Sequence, residues 1–144
     1  SGVELIVEAA GRIPYLSLDN ALVRQAVLNL VNNAIKYAPQ SGQVVLRAEV
    51  SQIANGSKPR EEVVVSVRDN GPGIPADELD RLFEKFHRVQ QRDNIKVKGS
   101  GLGLAIVKLV AERHDGRAWV ESDIDVGSTF FIAFPNEPVD FAAI

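Results

Sequence analysis

Apolar residues recur along the 144-residue chain with two different spacings, and these spacings predict where helices and strands lie. A spacing of three to four residues, typical of a helix with one buried face, runs from Asp19 to Tyr37 and again over about Leu102 to His114. Asp19 or Asn20 can cap the first helix, and Gly116 can end the second. The sequence therefore predicts two amphipathic helices.

Segments rich in β-branched and aromatic residues surround these helices and predict strands. Two of them flank the polar stretch SQIANGSKPR, which predicts a hairpin with a long loop. A short third helix is predicted to open at Pro75 and Asp77, with apolar residues as far as Phe86. The predicted strands are residues 3–8, 13–18, 42–50, 61–69, 117–122 and 128–134. Together these elements predict a mixed sheet with about three helices, packed as two layers.

Composition and charge exclude several classes of protein. Hydrophobic residues make up 45% and charged residues 24%, as in a soluble globular domain. The net charge of −3 indicates no nucleic-acid partner, and the absence of cysteine excludes disulfides and thiolate metal sites. No apolar run approaches the roughly 18 residues of a membrane span, so we expect no direct membrane insertion.

The ends of the chain suggest how it is organised. It starts with Ser-Gly and contains no methionine, so we expect it to be one domain of a longer protein. Residues 1–135 are predicted to form this domain. Residues 136–144 contain a further proline and little pattern, and we expect a loosely held tail.

Amide side chains crowd one side of the first helix, although asparagine is a poor helix former. Gln25, Asn29, Asn33 and Lys36 share a side roughly opposite the apolar face. Two amide oxygens one turn apart suit a hard cation such as Mg²⁺, and Lys36 adds a positive charge for phosphates. An ordinary polar helix face is the alternative. The apolar face comprises Val23, Ala26, Val27, Leu30, Val31 and Ala34.

The segment DNGPGIP follows a strand whose valines alternate inward, and Asp69 continues on their side. An ionised carboxylate only accepts hydrogen bonds, so an exocyclic amino group such as that of adenine would satisfy it. Gly71 and Gly73 would let the backbone approach a ligand closely. The alternative is a tight turn without a ligand.

A second glycine-rich segment, GSGLGLAIVK, precedes the second long helix. Free N–H groups and the helix dipole meet at such a start and favour an anion. Its spacing matches neither a P-loop nor a dinucleotide fingerprint. The preceding residues 87–100 are basic and can close over phosphates as a lid, or can form an ordinary solvated loop.

Taken together and in this order, these segments resemble the catalytic ATP-binding domain of bacterial sensor histidine kinases. That domain belongs to the GHKL superfamily, shared with gyrase, the Hsp90 chaperones and MutL. NLVNNAIKY is similar to its N box, DNGPGIP to the G1 box, LFEKFHRV to the F box and GSGLGLAIVK to the G2 box. GSTFFIAF resembles the final glycine–threonine strand, and the resemblance covers about residues 3–134.

The resemblance implies a Bergerat-type fold, an α/β two-layer sandwich whose mixed β-sheet is covered on one face by about three helices. It also implies roles at the phosphate end of an ATP site. Asn33 would be the Mg²⁺ ligand with Asn29 as a second candidate, Lys36 would reach the phosphates, and Arg88 would contact the γ-phosphate. The lid and the phosphate-facing helix start would comprise Lys98, Gly99, Ser100, Gly101, Leu102, Gly103 and Leu104.

At the base end, the resemblance implies that Asp69 accepts a hydrogen bond from the adenine amino group. Tyr37 would lie against the nucleotide, and Thr129 would sit near Asp69 through a water molecule. The wall around the base would comprise Gly71, Gly73 and Ile74.

One position separates the branches of this superfamily. Members that hydrolyse ATP place a glutamate four residues before the Mg²⁺-binding asparagine, whereas this chain has Asn29 there. An amide cannot act as a general base near neutral pH. The chain is therefore predicted to hold ATP for an outside nucleophile.

That nucleophile would be a histidine, and neither histidine of the chain lies in the sequence context of a phosphoacceptor. His87 follows the F-box phenylalanine. His114 lies at a helix C-terminus, where the dipole favours a cation, and we expect a structural role for it.

The resulting hypothesis is a protein histidine kinase catalytic domain, incomplete alone and without an assigned catalytic residue. ATP and Mg²⁺ would be its cofactors. Its partners would be the dimerisation and phosphoacceptor domain of the same parent and a downstream response regulator. We expect a cytoplasmic location, whether or not the parent is membrane-anchored. The alternatives are an ATP-gated switch or ATPase of the chaperone or mismatch-repair type, and an interaction module without nucleotide.

Overall fold

The computed structural model describes residues 2–14, 16–39, 42–55, 58–84 and 103–136. Within these residues a five-stranded sheet runs in the order β1-β2-β3-β5-β4. The elements are β1 Glu4–Ala10, α1 Asn20–Tyr37, β2 Gln43–Asn55, β3 Lys58–Asp69, α2 Ala76–Leu79, α3 Gly103–Arg113, β4 Arg117–Asp123 and β5 Gly127–Pro135.

The sheet is mixed, and helices cover one of its faces. β1 pairs with β2 in parallel, and the other neighbouring strands are antiparallel. Helices α1 and α3 bury their apolar stripes against the inner side chains of the sheet because both surfaces lose water there. The core includes Ala26, Leu30 and Ala34 of α1, Val107 and Val110 of α3, and Val44, Val67, Phe130, Ile132 and Phe134 of the sheet. The predicted two-layer α/β sandwich is confirmed.

The two long helices begin and end close to their predicted bounds. The Asp19 side chain accepts a hydrogen bond from the backbone N–H of Leu22 at 3.1 Å, so Asp19 is the N-cap of α1. Gly116 follows α3. A Cβ atom at this position would collide with the carbonyl oxygen of Ala133, so close packing also requires glycine here.

Two strand predictions are wrong. In the predicted strand 13–18, residues 13, 14 and 16–18 are irregular, while Leu16 and Leu18 still pack against the core. Apolar side chains can be buried without strand pairing, and Pro14 lacks the N–H that pairing needs.

The long loop predicted between the central strands is the second error. Strand pairing continues through SQIANGSKPR as far as Asn55 opposite Lys58, so both strands extend into the polar stretch. Cross-strand polar contacts support this extension, as between Gln52 Nε2 and Glu61 Oε1 at 3.1 Å.

The short helix α2 ends at Leu79, earlier than its apolar spacing suggests, and the chain continues as turns to Phe83. Leu82 is nevertheless buried, which explains the apolar spacing without a longer helix. Phe86 lies outside the described residues, as do His87 and the tail from residue 137. Within the part of the chain that the structure covers, no helix is long and apolar enough to cross a membrane.

His114 connects the end of α3 to the start of α1. Its Nε2 accepts a hydrogen bond from the backbone N–H of Asp19 at 3.0 Å, and its Nδ1 donates to the carbonyl of Val110 at 2.8 Å. The ring also meets Phe134 edge to face, with centroids 5.7 Å apart. These contacts with Asp19, Val110 and Phe134 confirm the expected structural role of His114.

Candidate functional site

The candidate site is centred on Asp69, the last residue of β3. Only 4% of this residue is exposed. Its Oδ1 accepts a hydrogen bond from the backbone N–H of Gly71 at 2.9 Å, and the backbone of Ser128 also donates to the carboxylate. Burial raises the pKa of the Asp69 carboxyl above its ordinary value of 3.8, and these two hydrogen bonds oppose the rise. One more hydrogen-bond donor would therefore stabilise the ionised form of this buried carboxylate.

Ser128, rather than Thr129, lies opposite Asp69. The strand register pairs Asp69 with Ser128 and Arg68 with Thr129. Because successive side chains of a strand point to opposite faces, Thr129 projects to the other side of the sheet. Ser128 is 4% exposed and lies on the inner face with Phe130. The predicted position of Thr129 beside Asp69 is wrong by one residue.

The glycines of DNGPGIP are required by packing within the chain. A Cβ atom on Gly71 would collide with the carbonyl oxygen of Tyr37, at the end of α1. Gly73 has φ +80° and its Cβ would collide with the carbonyl of Asp123. Both positions are thus filled by protein backbone, and the glycines pack the loop against α1 and the β4–β5 turn.

Further hydrogen bonds hold this loop. The backbone N–H of Ile74 donates to Ser122 Oγ at 2.8 Å, and the N–H of Asp125 donates to the carbonyl of Pro72 at 2.7 Å. The Ile74 side chain is buried, with 6% exposure. Contacts within the chain therefore fix the conformation of this loop.

The amides on α1 differ in their hydrogen bonding. Asn29 accepts a hydrogen bond at Oδ1 from Gln25 at 2.9 Å and donates from Nδ2 to the carbonyl of Gly103 at 3.1 Å. Asn33 Nδ2 is buried, and within the described ranges no atom hydrogen-bonds it. Asn29 is thus engaged by protein, whereas Asn33 retains a buried polar atom that a ligand could satisfy. Lys36 is exposed in the last turn of the helix.

The start of α3 meets α1 at Asn29. A Cβ on Gly103 would stay 4.0 Å from the Asn29 side chain, so packing among the described residues does not require glycine there. Leu104 packs against the core. The other predicted residues of the phosphate end lie outside the described residues: Arg88, Lys98, Gly99, Ser100, Gly101 and Leu102.

Helix α1 therefore connects the two glycine-rich segments. The first contacts it at Tyr37 and the second at Asn29, about 12 Å apart along a helix axis. The buried carboxylate of Asp69 lies beside the first contact, and the unsatisfied amide of Asn33 lies between the two. This arrangement can bind an elongated ligand with a hydrogen-bond donor at one end and anionic groups at the other.

A family model described as histidine kinase-, DNA gyrase B- and HSP90-like ATPase matches residues 18–138. The chain belongs to this ATPase family. Within it, the chain is a catalytic domain of the sensor histidine kinase type. It is 33% identical over 133 residues to the sensor histidine kinase WalK of Bacillus subtilis (strain 168), a match that covers 92% of this chain and 21% of that protein. The chain thus spans about a fifth of that relative's length.

Solved structures of histidine kinases share its fold. The mycobacterial sensor histidine kinase MprB is 33% identical with a TM-score of 0.75, over 96% of this chain and 86% of that one. Full-length ShkA in complex with AMPPNP is 34% identical with a TM-score of 0.74, over 93% and 26% of the two chains. The fold also occurs in ThkA in complex with the response regulator protein TrrA, at 23% identity and a TM-score of 0.69 over 94% and 35%.

The described residues of this kinase-type domain contain no group of three or more His, Asp or Glu side chains that could hold a metal. Of the described residues, those with neutral amide oxygens could serve a cation at this site, together with the ligand's own anionic groups. Mg²⁺ tolerates such a site because it keeps several of its waters. Asn33 fits this donor set, because rotating its amide presents Oδ1 at the unsatisfied position.

Proposed function

We propose that this domain binds ATP with Mg²⁺ and presents the γ-phosphate to a histidine on a separate dimerisation and phosphoacceptor domain. The contact of both glycine-rich segments with α1, at Tyr37 and Asn29, supports this proposal most directly. ATP is an elongated ligand with an amino group on its base and charge on its phosphates, as this arrangement requires.

The base of ATP would bind at Asp69. Its carboxylate accepts two backbone N–H groups and has room in its acceptor capacity for the exocyclic amino group of adenine. Gly71, Gly73 and Ile74 would form the wall around the base, and Tyr37 would lie against the nucleotide. The fixed loop would lower the entropy that binding costs.

Asn33 would hold Mg²⁺ at the phosphate end, with Lys36 near the phosphates. When bound, Mg²⁺ would neutralise charge on the phosphates. Asn29 is a weaker candidate for a ligand because both ends of its amide already bond to protein. It would instead hold the start of α3 in place, where Gly103 and Leu104 would lie beside the phosphates. We propose the phosphate and lid roles of Arg88, Lys98, Gly99, Ser100, Gly101 and Leu102 on the family resemblance alone.

The reaction would transfer the γ-phosphoryl group to a neutral imidazole nitrogen of the acceptor. The bond from the γ-phosphorus to the β–γ bridging oxygen breaks, a P–N bond forms, and ADP and phosphohistidine are the products. His114 is unsuited as acceptor because both of its ring nitrogens hydrogen-bond to backbone. The phosphoacceptor domain, a downstream response regulator and a cytoplasmic location, where ATP is available, are parts of this proposal.

An ATPase of the chaperone or mismatch-repair type is the alternative function. Asn29 disfavours it, since a neutral amide bonded to Gln25 and Gly103 cannot take a proton from water. ATP turnover by the isolated domain would favour the alternative. Phosphorylation of the parent's phosphoacceptor domain, added in trans with radiolabelled ATP, would favour the kinase.

Calorimetric titration with AMPPNP and Mg²⁺ tests the binding step. We expect one saturable site per chain. A well-folded domain that binds no AMPPNP, with or without the phosphoacceptor domain present, would contradict the proposed function and favour an interaction module.

Substitution of Asn33 is expected to remove the Mg²⁺ dependence of nucleotide binding. Asn33→Ala deletes the amide that would hold the cation, so affinities with Mg²⁺ and with EDTA should become similar, a loss of about tenfold or more in the Mg²⁺ condition. Asn32→Ala is the matched control because Asn32 is exposed on the same helix. Unchanged Mg²⁺ dependence in Asn33→Ala would move the ligand elsewhere.

A further inference from the structure

Ser122 on β4 joins three parts of the base end of the site. Its Oγ accepts the hydrogen bond from the backbone N–H of Ile74 at 2.8 Å. The same oxygen lies 2.8 Å from Ser128 Oγ and 3.2 Å from the carbonyl oxygen of Gly127. Ser128 in turn is the strand partner of Asp69. One hydroxyl thus links the DNGPGIP loop to the strand pair that carries the buried carboxylate.

The hydrogen bonds of Ser122 use its full donor capacity. A hydroxyl has one hydrogen and two acceptor positions. Since the Ile74 N–H occupies one acceptor position, the hydrogen of Ser122 goes to Gly127 or to Ser128. If Ser122 donates to the Gly127 carbonyl, Ser128 donates its own hydrogen to Ser122 Oγ. If Ser122 donates to Ser128 Oγ, the hydrogen of Ser128 can bond to another acceptor. In both arrangements Ser122 accepts from Ile74.

The contact is well placed to set the distance between Ile74 and Asp69. Ile74 is three residues beyond Gly71, where the loop lies against Tyr37 of α1, and the N–H of Ile74 has no strand partner. The other hydrogen bond with the β4–β5 turn, between Asp125 N–H and the Pro72 carbonyl, holds an earlier point of the loop. Ser122 therefore fixes the end of the loop where the side chain turns into the core.

We propose that Ser122 is a positioning residue for the adenine pocket, acting through the backbone of Ile74. This inference rests on the proposed ATP binding and adds a residue that the family resemblance did not bring forward. Without the hydroxyl, the N–H of Ile74 loses its partner and the loop can shift relative to Asp69. The base would then lose part of its wall while the phosphate end stays intact.

The test compares Ser122→Ala with Ser122→Thr, which keeps a hydroxyl on a β-branched side chain suited to a strand. Ser66→Ala is the matched control. Ser66 lies on β3, on the face of the sheet away from the helices, and is paired with Phe131 of β5. Two quantities are measured on each variant: the hydrogen-exchange rate of the Ile74 amide by NMR, and the AMPPNP affinity by calorimetry with Mg²⁺ and with EDTA.

In Ser122→Ala we expect Ile74 exchange to accelerate and AMPPNP affinity to fall, each by about tenfold, because a buried donor loses its acceptor. The affinity should fall by the same factor with Mg²⁺ and with EDTA, since the lost contact is at the base end. Ser122→Thr should restore both quantities, and Ser66→Ala should resemble the wild type.

Unchanged Ile74 exchange in Ser122→Ala would overturn the proposal, and so would faster exchange with unchanged AMPPNP affinity. A loss of affinity confined to the Mg²⁺ condition would also overturn it, because that result places the effect at the phosphates. If the wild type binds no AMPPNP, the proposed function fails first. The titration of the wild type distinguishes that failure from a failure at Ser122.

Discussion

Asp69→Asn is expected to weaken AMPPNP binding by roughly ten- to a hundredfold. The substitution keeps the size of the side chain but removes the charge that would accept the adenine amino group, and hydrogen bonds to charged groups contribute about 1.5–3 kcal/mol. The amide would also present an NH₂ group where the carboxylate accepts from Gly71 and Ser128. Calorimetric titration of both proteins at pH 7 measures the change.

The pH dependence of the free energy of unfolding, compared between the wild type and Asp69→Asn, provides a second measurement. Because burial raises the pKa of Asp69 above 3.8, the folded protein holds this proton over a range of pH in which the unfolded chain has already lost it. Asp69 therefore makes the free energy of unfolding decrease as pH rises from 3.8 through its folded pKa. Asp69→Asn should lack this decrease in stability, which urea unfolding at several pH values would show.

Asp77→Asn is the matched control because Asp77 is exposed in the first turn of α2. This substitution also removes one negative charge, but at a position outside the site. It should leave AMPPNP affinity within about twofold of the wild type. Equal affinity in Asp69→Asn and Asp77→Asn would remove Asp69 from the adenine site.

Gly127→Ala is expected to produce the largest loss of stability, about 3 kcal/mol or more. Gly127 has φ +140°, and a Cβ there would collide with the carbonyl oxygen of Asp69. Relief of that collision would separate the start of β5 from the end of β3, where Ser128 pairs with Asp69. We therefore expect thermal unfolding about 10 °C lower, together with weaker AMPPNP binding.

Gly11→Ala separates the two causes of the stability loss in Gly127→Ala, which are the positive φ and the collision with Asp69. Gly11 also has a positive φ, +74°, but a Cβ there meets nothing within 4 Å. Its cost is therefore the backbone conformation alone, about 1–2 kcal/mol. If Gly127→Ala is no more destabilising than Gly11→Ala, the close approach of β5 to Asp69 is not important for stability.

Much of the candidate site could be predicted from the sequence because its parts are local. The amide spacing on α1 depends on the helix period, and the alternation that turns Asp69 inward depends on the strand period. The same alternation, counted back from Phe130, places Ser128 rather than Thr129 on the inner face, so the error at Thr129 was avoidable from the sequence.

Ser122 and His114 gave no comparable signal. Ser122 bonds Ile74 across 48 positions of sequence, and His114 bonds Asp19 across 95. A serine near a turn and a histidine near a helix end are both common, and no local period shows which distant N–H they will meet. Strand register and helix packing bring those partners together.

By itself, the sequence determined the two long helices, the mixed two-layer sheet, the inward position of Asp69 and the family, since these follow from short-range spacing and from the order of motifs. Only the tertiary structure decided that both ends of the Asn29 amide bond to protein while Asn33 Nδ2 has no partner among the described residues, and that backbone packing requires Gly71 and Gly73. It also decided that residues 51–55 and 58–60 of the polar stretch extend the paired strands. Those properties depend on which distant atoms fill the space around each residue, and local spacing does not specify them.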